Sequence, residues 1–277
     1  MLGMNITVLI DNKLKNGEKR PLKSEWGLSI LIEFEKKLYL LDSGQSKRFS
    51  KNADILGMDL SKVENGILSH AHYDHSNGLK TFFKKNQNAL FYLRKGTAEN
   101  TYHKHKFFYE YIGIHKGWLK KYASRFSYAD GDFCVAPNVY LIPHKTAELG
   151  EKGRAAHLSI KLNGKFMSDN FYHEQSLVFK TEKGLVIFNS CSHGGADNII
   201  QEIESTFPNE KIYAILGGFH LFCLPDSEIF SFAERLKTLA VQKIVTGHCT
   251  GDHAYDILHQ VLGEKVSQMY TGMQMEI

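Results

Sequence analysis

His70, His72, Asp74 and His75 fall within six consecutive positions of the stretch LSHAHYDHSNGL, residues 68–79. Three imidazoles and a carboxylate so close together need partners if they are buried. An ordinary exposed loop gains nothing from holding them. These are transition-metal ligands: neutral imidazole and carboxylate donors suit Zn²⁺, Mn²⁺ or Fe²⁺, whereas Ca²⁺ asks for oxygen throughout. An ion held there lowers the pKa of a bound water from 15.7 to roughly 7. Two ions about 3.5–4 Å apart can clamp the attacking and leaving oxygens of a displacement. The chemistry that such a cluster supports is hydrolysis. Asp74 has two candidate jobs in it, metal ligand or the base that orients the attacking hydroxide.

Further histidines stand at the ends of strand-like runs. His193 follows LVIFNS, His220 follows KIYAILGG, and His248 follows KIVTG, while His173 immediately precedes SLVFK. One histidine after one strand is an ordinary polar loop residue. Several, after strands that can share one sheet edge, point to a shared site. Gly217-Gly218 either lets a ligand approach the backbone or makes a tight turn. His220 reads as a substrate contact or proton donor, and His103, His105 and His115 as solvated residues.

The elements that must position these groups follow from pattern. NITVLI, LSILIEF and KLYLLDSG alternate as consecutive antiparallel strands, the last two joined by Glu35-Lys36-Lys37. NADILGMDL reads as a short helix with Asn52 near its start. ENGILSH reads as a buried strand ending at His70, so the cluster leaves a strand. Residues 95–125 are expected to be partly helical, 126–143 to form a hairpin or two short strands, and 145–172 to be irregular. SLVFK-TEKG-LVIFNS is a hairpin, and strands alternate with helices after it, the helix over DSEIFSFAERLKTLA being capped by Asp226 or Ser227. An α+β chain with an αββα four-layer sandwich fits this order.

The chain has 277 residues, 43% of them hydrophobic and 23% charged, an ordinary globular composition. No apolar run approaches the ~18 residues of a membrane span. The opening MLGMNITVLIDNK lacks the features of a secretion signal, so a cytoplasmic location is expected. Cys134, Cys191, Cys223 and Cys249 form no CxxC pair and fit reduced thiols. Net charge is +4, unevenly placed: residues 80–128 hold eleven Lys/Arg against Glu99 and Glu110, among many aromatic residues. Either the rings pack underneath while lysines coat the surface, or the segment is a basic aromatic cap that receives an anionic or ring-bearing ligand. No recognised nucleic-acid-binding motif accompanies the charge.

His70-Ala71-His72-Tyr73-Asp74-His75 resembles the H-x-H-x-D-H signature of the metallo-β-lactamase superfamily. GLSILIEFEKKLYLLDSGQS is similar to that family's paired strands ending in an Asp-x-Gly turn, here Asp42-Ser43-Gly44, and TGHCTG to its last ligand motif. HEQSL, SCSHGG and GGFHL resemble the subgroup around the pterin-pathway ribofuranosylaminobenzene-phosphate synthase. The resemblance implies one metallo-β-lactamase-like domain over residues 1–277, with a cap insertion at about 80–128. It implies His70 and His72 on a first metal, and Asp74, His75 and His248 on a second. His173 stands where the family's third histidine precedes a strand. Cys191 occupies the place of the usual bridging aspartate, with His193 two residues on; His193 is the favoured ligand of the two. Asp42 is expected to be a structural partner of a ligand histidine. Two divalent ions are implied, zinc first, manganese or iron as alternatives. The implied activity is a metal-dependent hydrolase using metal-bound hydroxide on an anionic, phosphoester-type small molecule. Its rivals are a pterin-pathway synthase, a redox di-iron protein and a non-catalytic metal-dependent binding protein.

Overall fold

The computed structural model describes residues 3–277 and divides them into two compact units. The first comprises residues 3–130, 148–174 and 270–277, and the second residues 131–147 and 175–269.

In the first unit a seven-stranded sheet starts antiparallel and turns parallel. Gln274–Glu276, Asn5–Ile10, Ser29–Phe34 and Lys37–Leu41 pair antiparallel in that order, and Asn65–Ile67, Leu90–Arg94 and Phe126–Ala129 continue in parallel. Parallel pairing needs crossovers, here made by the helices Arg48–Ile55 and Leu79–Lys85. It also brings the carboxyl ends of Lys37–Leu41 and Asn65–Ile67 to one edge, where Asp42 and the His70–His75 loop emerge. The core under this sheet is Leu9, Leu31, Leu40, Phe49, Leu79, Phe82, Phe91 and their neighbours, all buried.

A four-stranded antiparallel sheet completes this unit, in the order Lys165–Ser168, Leu158–Leu162, Thr101–Lys104, Tyr109–Tyr111. It holds the loop in place: Tyr73 N donates to Ile112 O (2.9 Å), Ile114 N donates to Ala71 O (2.8 Å), and His72 forms an isolated bridge with Gly113.

The second unit has its own seven-stranded sheet. Val266–Gln268, Lys243–Thr246, Ile212–Gly217 and Gly184–Phe188 are parallel, and Gln175–Thr181, Val139–Pro143 and Phe133–Ala136 add on antiparallel. Gly184–Phe188 is buried at every residue, as the near-continuous apolar run LVIF requires of a strand covered on both faces. Helices Ala196–Thr206, Asp226–Thr238 and Asp252–Leu262 make the crossovers and bury Ile199, Ile203, Phe232, Leu236 and Leu258 against Ile187, Ile215 and Ile244.

Several local expectations are corrected. The first helix begins at Arg48, so Asn52 lies inside it; its buried amide donates to Leu9 O and Lys23 O and fastens the helix to neighbouring chain. The strand after it stops at Ile67, three residues short of His70. Residues 95–125 are partly helical as expected, through Trp118–Lys121 and the short turn of helix Ala123–Arg125, and they add the strands Thr101–Lys104 and Tyr109–Tyr111. Residues 145–172 contain a helix, Leu149–Ala155, and a hairpin, both hidden in the sequence by their lack of clear period. Pro225, with no side-chain cap, precedes helix Asp226–Thr238; Asp226 bonds His253 instead. Within residues 126–143 the expected hairpin is present as Phe133–Ala136 and Val139–Pro143, and Phe126–Ala129 is an additional strand in a different sheet.

Residues 80–128 serve several elements. Phe82, Phe83, Phe91, Trp118 and Phe126 are core residues, and Arg94 is buried at a strand end. Lys104, Lys106, Phe107 and Phe108 are exposed on the four-stranded sheet and its hairpin. Among the described residues no helix is long and apolar enough to cross a membrane.

Candidate metal centre

Four imidazoles of the first unit gather at the sheet edge. The His70 ring centroid lies 4.6 Å from that of His72, 4.2 Å from His75 and 6.3 Å from His173; His72 and His173 are 5.6 Å apart. All four residues and Asp74 are buried. Such a density of buried polar rings is costly unless each is oriented by a partner.

Asp42 supplies much of that orientation. It sits in the left-handed region (φ 57°), just past the end of strand Lys37–Leu41. Its Oδ1 accepts from Ser69 N (2.7 Å), and its Oδ2 accepts from Ser69 Oγ (2.6 Å) and meets His75 Nδ1 (2.8 Å). Ser69 Oγ also lies 2.8 Å from His70 Nδ1, so a single carboxylate sets two rings, one directly and one through a hydroxyl. His75 Nε2 lies 3.4 Å from Asp74 Oδ2. Burial pushes the His75 imidazole down, and the carboxylates of Asp74 and Asp42 more than offset this, pushing it up to about 10.

Asp169 stands beside His173, a residue that sequence reasoning passed over. His173 Nε2 meets Asp169 Oδ2 at 3.0 Å, and Ala71 N donates to His173 Nδ1 at 3.2 Å. The donor atoms of His72, Asp169 and His173 lie within 4.8 Å of one another, all buried. Burial pushes the Asp169 carboxyl up; His173 and then His72 outweigh it and hold the group below its usual range. The sequence signal available was the spacing Asp169-x-x-x-His173 in a stretch that reads as loop.

The second unit carries the other candidates on the loops that leave three parallel strands. Cys191 and His193 follow Gly184–Phe188, His220 follows Ile212–Gly217, and His248 and Cys249 follow Lys243–Thr246. Parallel strands put those loops at one carboxyl edge, where open α/β sheets place their sites. The His193 and His220 rings are 4.6 Å apart. His220 N donates to Cys249 Sγ (3.3 Å), and Cys249 Sγ donates to Cys191 O (3.6 Å). Burial pushes the Cys249 thiol up, and contacts from Cys191 and His220 outweigh it, holding the thiol below its ordinary value. Ser192, His220 and His248 all have positive φ (55°, 51° and 49°), strain of a kind that collects at functional sites.

The two glycines before Phe219 serve packing. A Cβ on Gly217 would lie 1.6 Å from Asn189 O, and one on Gly218 would lie 2.5 Å from Cys249 Sγ. His105 bonds Glu110 (2.8 Å), His115 stacks on Trp118 (4.8 Å between centroids), and His103 is half-buried.

Strand order, the histidine-rich edge and the sequence together define a metallo-β-lactamase fold of the α+β class. The chain belongs to the metallo-β-lactamase superfamily, whose profile matches residues 27–157. It is 32% identical to the solved structure of Tm1679, described as a metal-dependent hydrolase of the β-lactamase superfamily, with a TM-score of 0.84 and 99% of each chain covered. It is 29% identical over 268 residues to the 7,8-dihydropterin-6-methyl-4-(β-D-ribofuranosyl)-aminobenzene-5'-phosphate synthase of Methanocaldococcus jannaschii, covering 92% of this chain and 91% of the relative. Zn²⁺-bound PqqB from Methylobacterium extorquens shares the fold at 8% identity and a TM-score of 0.57, with 99% of this chain and 100% of that one covered.

Proposed function

We propose that the chain is a metal-dependent hydrolase of an anionic small-molecule ester, with a phosphoester as the favoured class. The observation that carries this reading is the buried His70–His75 loop, its rings oriented by Asp42 and Ser69. The donor set fits divalent transition metals, zinc foremost: it is imidazole-rich, dry and pre-oriented. The residues proposed to hold two such ions are His70, His72, Asp74 and His75, with His193 and His248 carried over from the family pattern. His173 is the further candidate, and Cys191 is left out in favour of His193. When bound, the ions supply an acidified water and a polarised substrate oxygen.

The chain's own groups do the rest. Asp42 Oδ2 keeps the proton of His75 on Nδ1, which leaves Nε2 as the donor atom. Ser69 Oγ sets the ring of His70. Asp74, next to His75 Nε2, is the carboxylate placed to hold a proton taken from water. The exposed Lys104 and Lys106 are proposed to draw anionic substrates. The thiol state of all four cysteines supports a reducing, cytoplasmic setting.

Metal-reconstituted protein tested against phosphodiesters, phosphomonoesters and carboxylesters decides the reading. Turnover of a phosphoester, lost in His72→Ala, is the expected result, and no turnover of any ester overturns it. The identity with the archaeal synthase favours a second reading, a synthase of that type. Formation of that relative's named product, with no ester hydrolysis, would replace the first reading by the second.

A further inference from the structure

Cys191, His220 and Cys249 of the second unit make a compact group of a different chemical character from the histidine-rich edge. One donor atom from each lies within 4.8 Å of the others. Cys191 is 4% exposed and Cys249 1%. Both are thiols. The Nδ1 of His220 is buried and has no hydrogen-bond partner. Leaving such a nitrogen unpaired in a dry environment costs about 1–3 kcal/mol, and two buried thiols beside it offer only weak hydrogen bonds in return.

The backbone holds the three residues together. Gly218 N donates to Ser190 O (2.9 Å), Leu221 N donates to Cys249 O (3.1 Å), and Phe219 N donates to Thr250 Oγ1 (2.9 Å). Thr250 Oγ1 is in turn 2.6 Å from Thr246 Oγ1. The three loops are thus cross-tied, and Gly218 keeps the space next to Cys249 Sγ clear.

We propose that Cys191, Cys249 and His220 form a soft-metal site of their own, which takes one thiophilic cation of the zinc or cuprous class through two thiolates and an imidazole. Thiolate and imidazole are the donors that such ions select. Zinc–sulfur bonds of about 2.3 Å and a zinc–nitrogen bond of about 2.0–2.1 Å are within reach of donor atoms that already lie within 4.8 Å of one another. Binding releases one proton from each thiol to solvent, and the imidazole binds through a neutral nitrogen. Three protein donors leave a fourth position open. None of the three residues is among the six ligands proposed for the hydrolase, but a donor atom of Cys191 also lies within 4.8 Å of donor atoms of His193 and of His248, so the Cys249→Ser arm of the test is what separates the two sites.

The test uses the full chain, stripped of metal with a chelator and titrated with Cd²⁺. Thiolate-to-cadmium charge transfer in the ultraviolet should grow to one equivalent per chain. Cys249→Ser and Cys191→Ser should each reduce the band at least tenfold, and His220→Ala should weaken Cd²⁺ binding about tenfold. Cys134→Ser with Cys223→Ser should change nothing, since both thiols are exposed and outside the group. Should a variant fail to fold, absorption spectroscopy at the cadmium edge on the wild-type protein with one equivalent bound should count two sulfur ligands. No band in the wild type, or fewer than two sulfurs, overturns the proposal. A band that depends on Cys191 but survives Cys249→Ser also overturns it, and would place Cys191 in the histidine-rich centre instead.

Discussion

Asp42 Oδ2 and His75 Nδ1 meet at 2.8 Å with both side chains wholly excluded from solvent. The same carboxylate bonds the backbone and the hydroxyl of Ser69. One residue at the end of a strand therefore orients His75 directly and His70 through the Ser69 hydroxyl.

Asp42→Asn should consequently weaken metal binding about 10–100-fold. An amide can donate to His75 where the carboxylate accepts, which favours the wrong ring tautomer. A metal titration against a competing chelator measures this. An affinity equal to wild type would show that Asp42 serves only the fold.

Removing two proposed ligands together, in His72→Ala with Asp74→Ala, should lower the metal content of the purified protein by at least one ion per chain. Elemental analysis reads the outcome, and identical content in both proteins would sink the ligand assignment.

Part of any preference for anionic esters should be lost on neutralising Lys104 and Lys106. Replacing both by Gln should lower kcat/KM for an anionic ester a few-fold at low salt and leave a neutral ester nearly unchanged, with the difference fading as salt screens beyond roughly 8 Å. Arg94→Gln should instead reduce thermal stability, because Arg94 is buried at the end of strand Leu90–Arg94. Equal responses of the two esters to the lysine changes would make those charges a solvated face.

Glu202 offers a test of pH and stability away from the metals. Its Oε1 accepts from Lys145 N and Thr146 N, and its Oε2 meets His144 Nδ1 at 3.1 Å. Burial pushes its carboxyl up, and His144, Thr146 and Lys145 outweigh that, leaving it below its ordinary value. A depressed carboxyl stabilises the fold above its unfolded pKa and loses that contribution as pH falls through the folded one. Below about pH 4.5, wild type should therefore lose stability toward Glu202→Gln. At pH 7 Glu202→Ala should cost about 3 kcal/mol in urea unfolding, and a cost near zero would count against the cage.

Gly217→Ala should destabilise by about 3 kcal/mol or more. Its φ of +145° disfavours any Cβ, and that atom would sit 1.6 Å from Asn189 O. An unchanged melting temperature would contradict this close approach.

What could be read along the chain was whatever depends on neighbours in sequence. The H-x-H-x-D-H spacing shows in one line of residues. The first three strands and the Gln175–Thr181/Gly184–Phe188 hairpin show through strong apolar patterning and obvious turns. The histidines after strands were visible because side-chain type and strand end are both local properties. Residues 145–172 were not legible, since Leu149–Ala155 and the hairpin behind it are exposed along much of their length and owe their form to tertiary packing. The register of the first helix escaped for a similar reason: Asn52 reads as a start signal, but its amide bonds chain 29 and 43 residues away.

The sequence by itself determined which donors exist and which family of folds can carry them. Only the tertiary structure decided their partners. Asp169 became a neighbour of His72 and His173, Asp42 came to govern two rings, and Cys249 came to face Cys191 and His220. The physical reason is that strand pairing brings strand ends distant in sequence together within each unit. Contacts between those ends depend on strand order and register, which no local pattern of residues encodes.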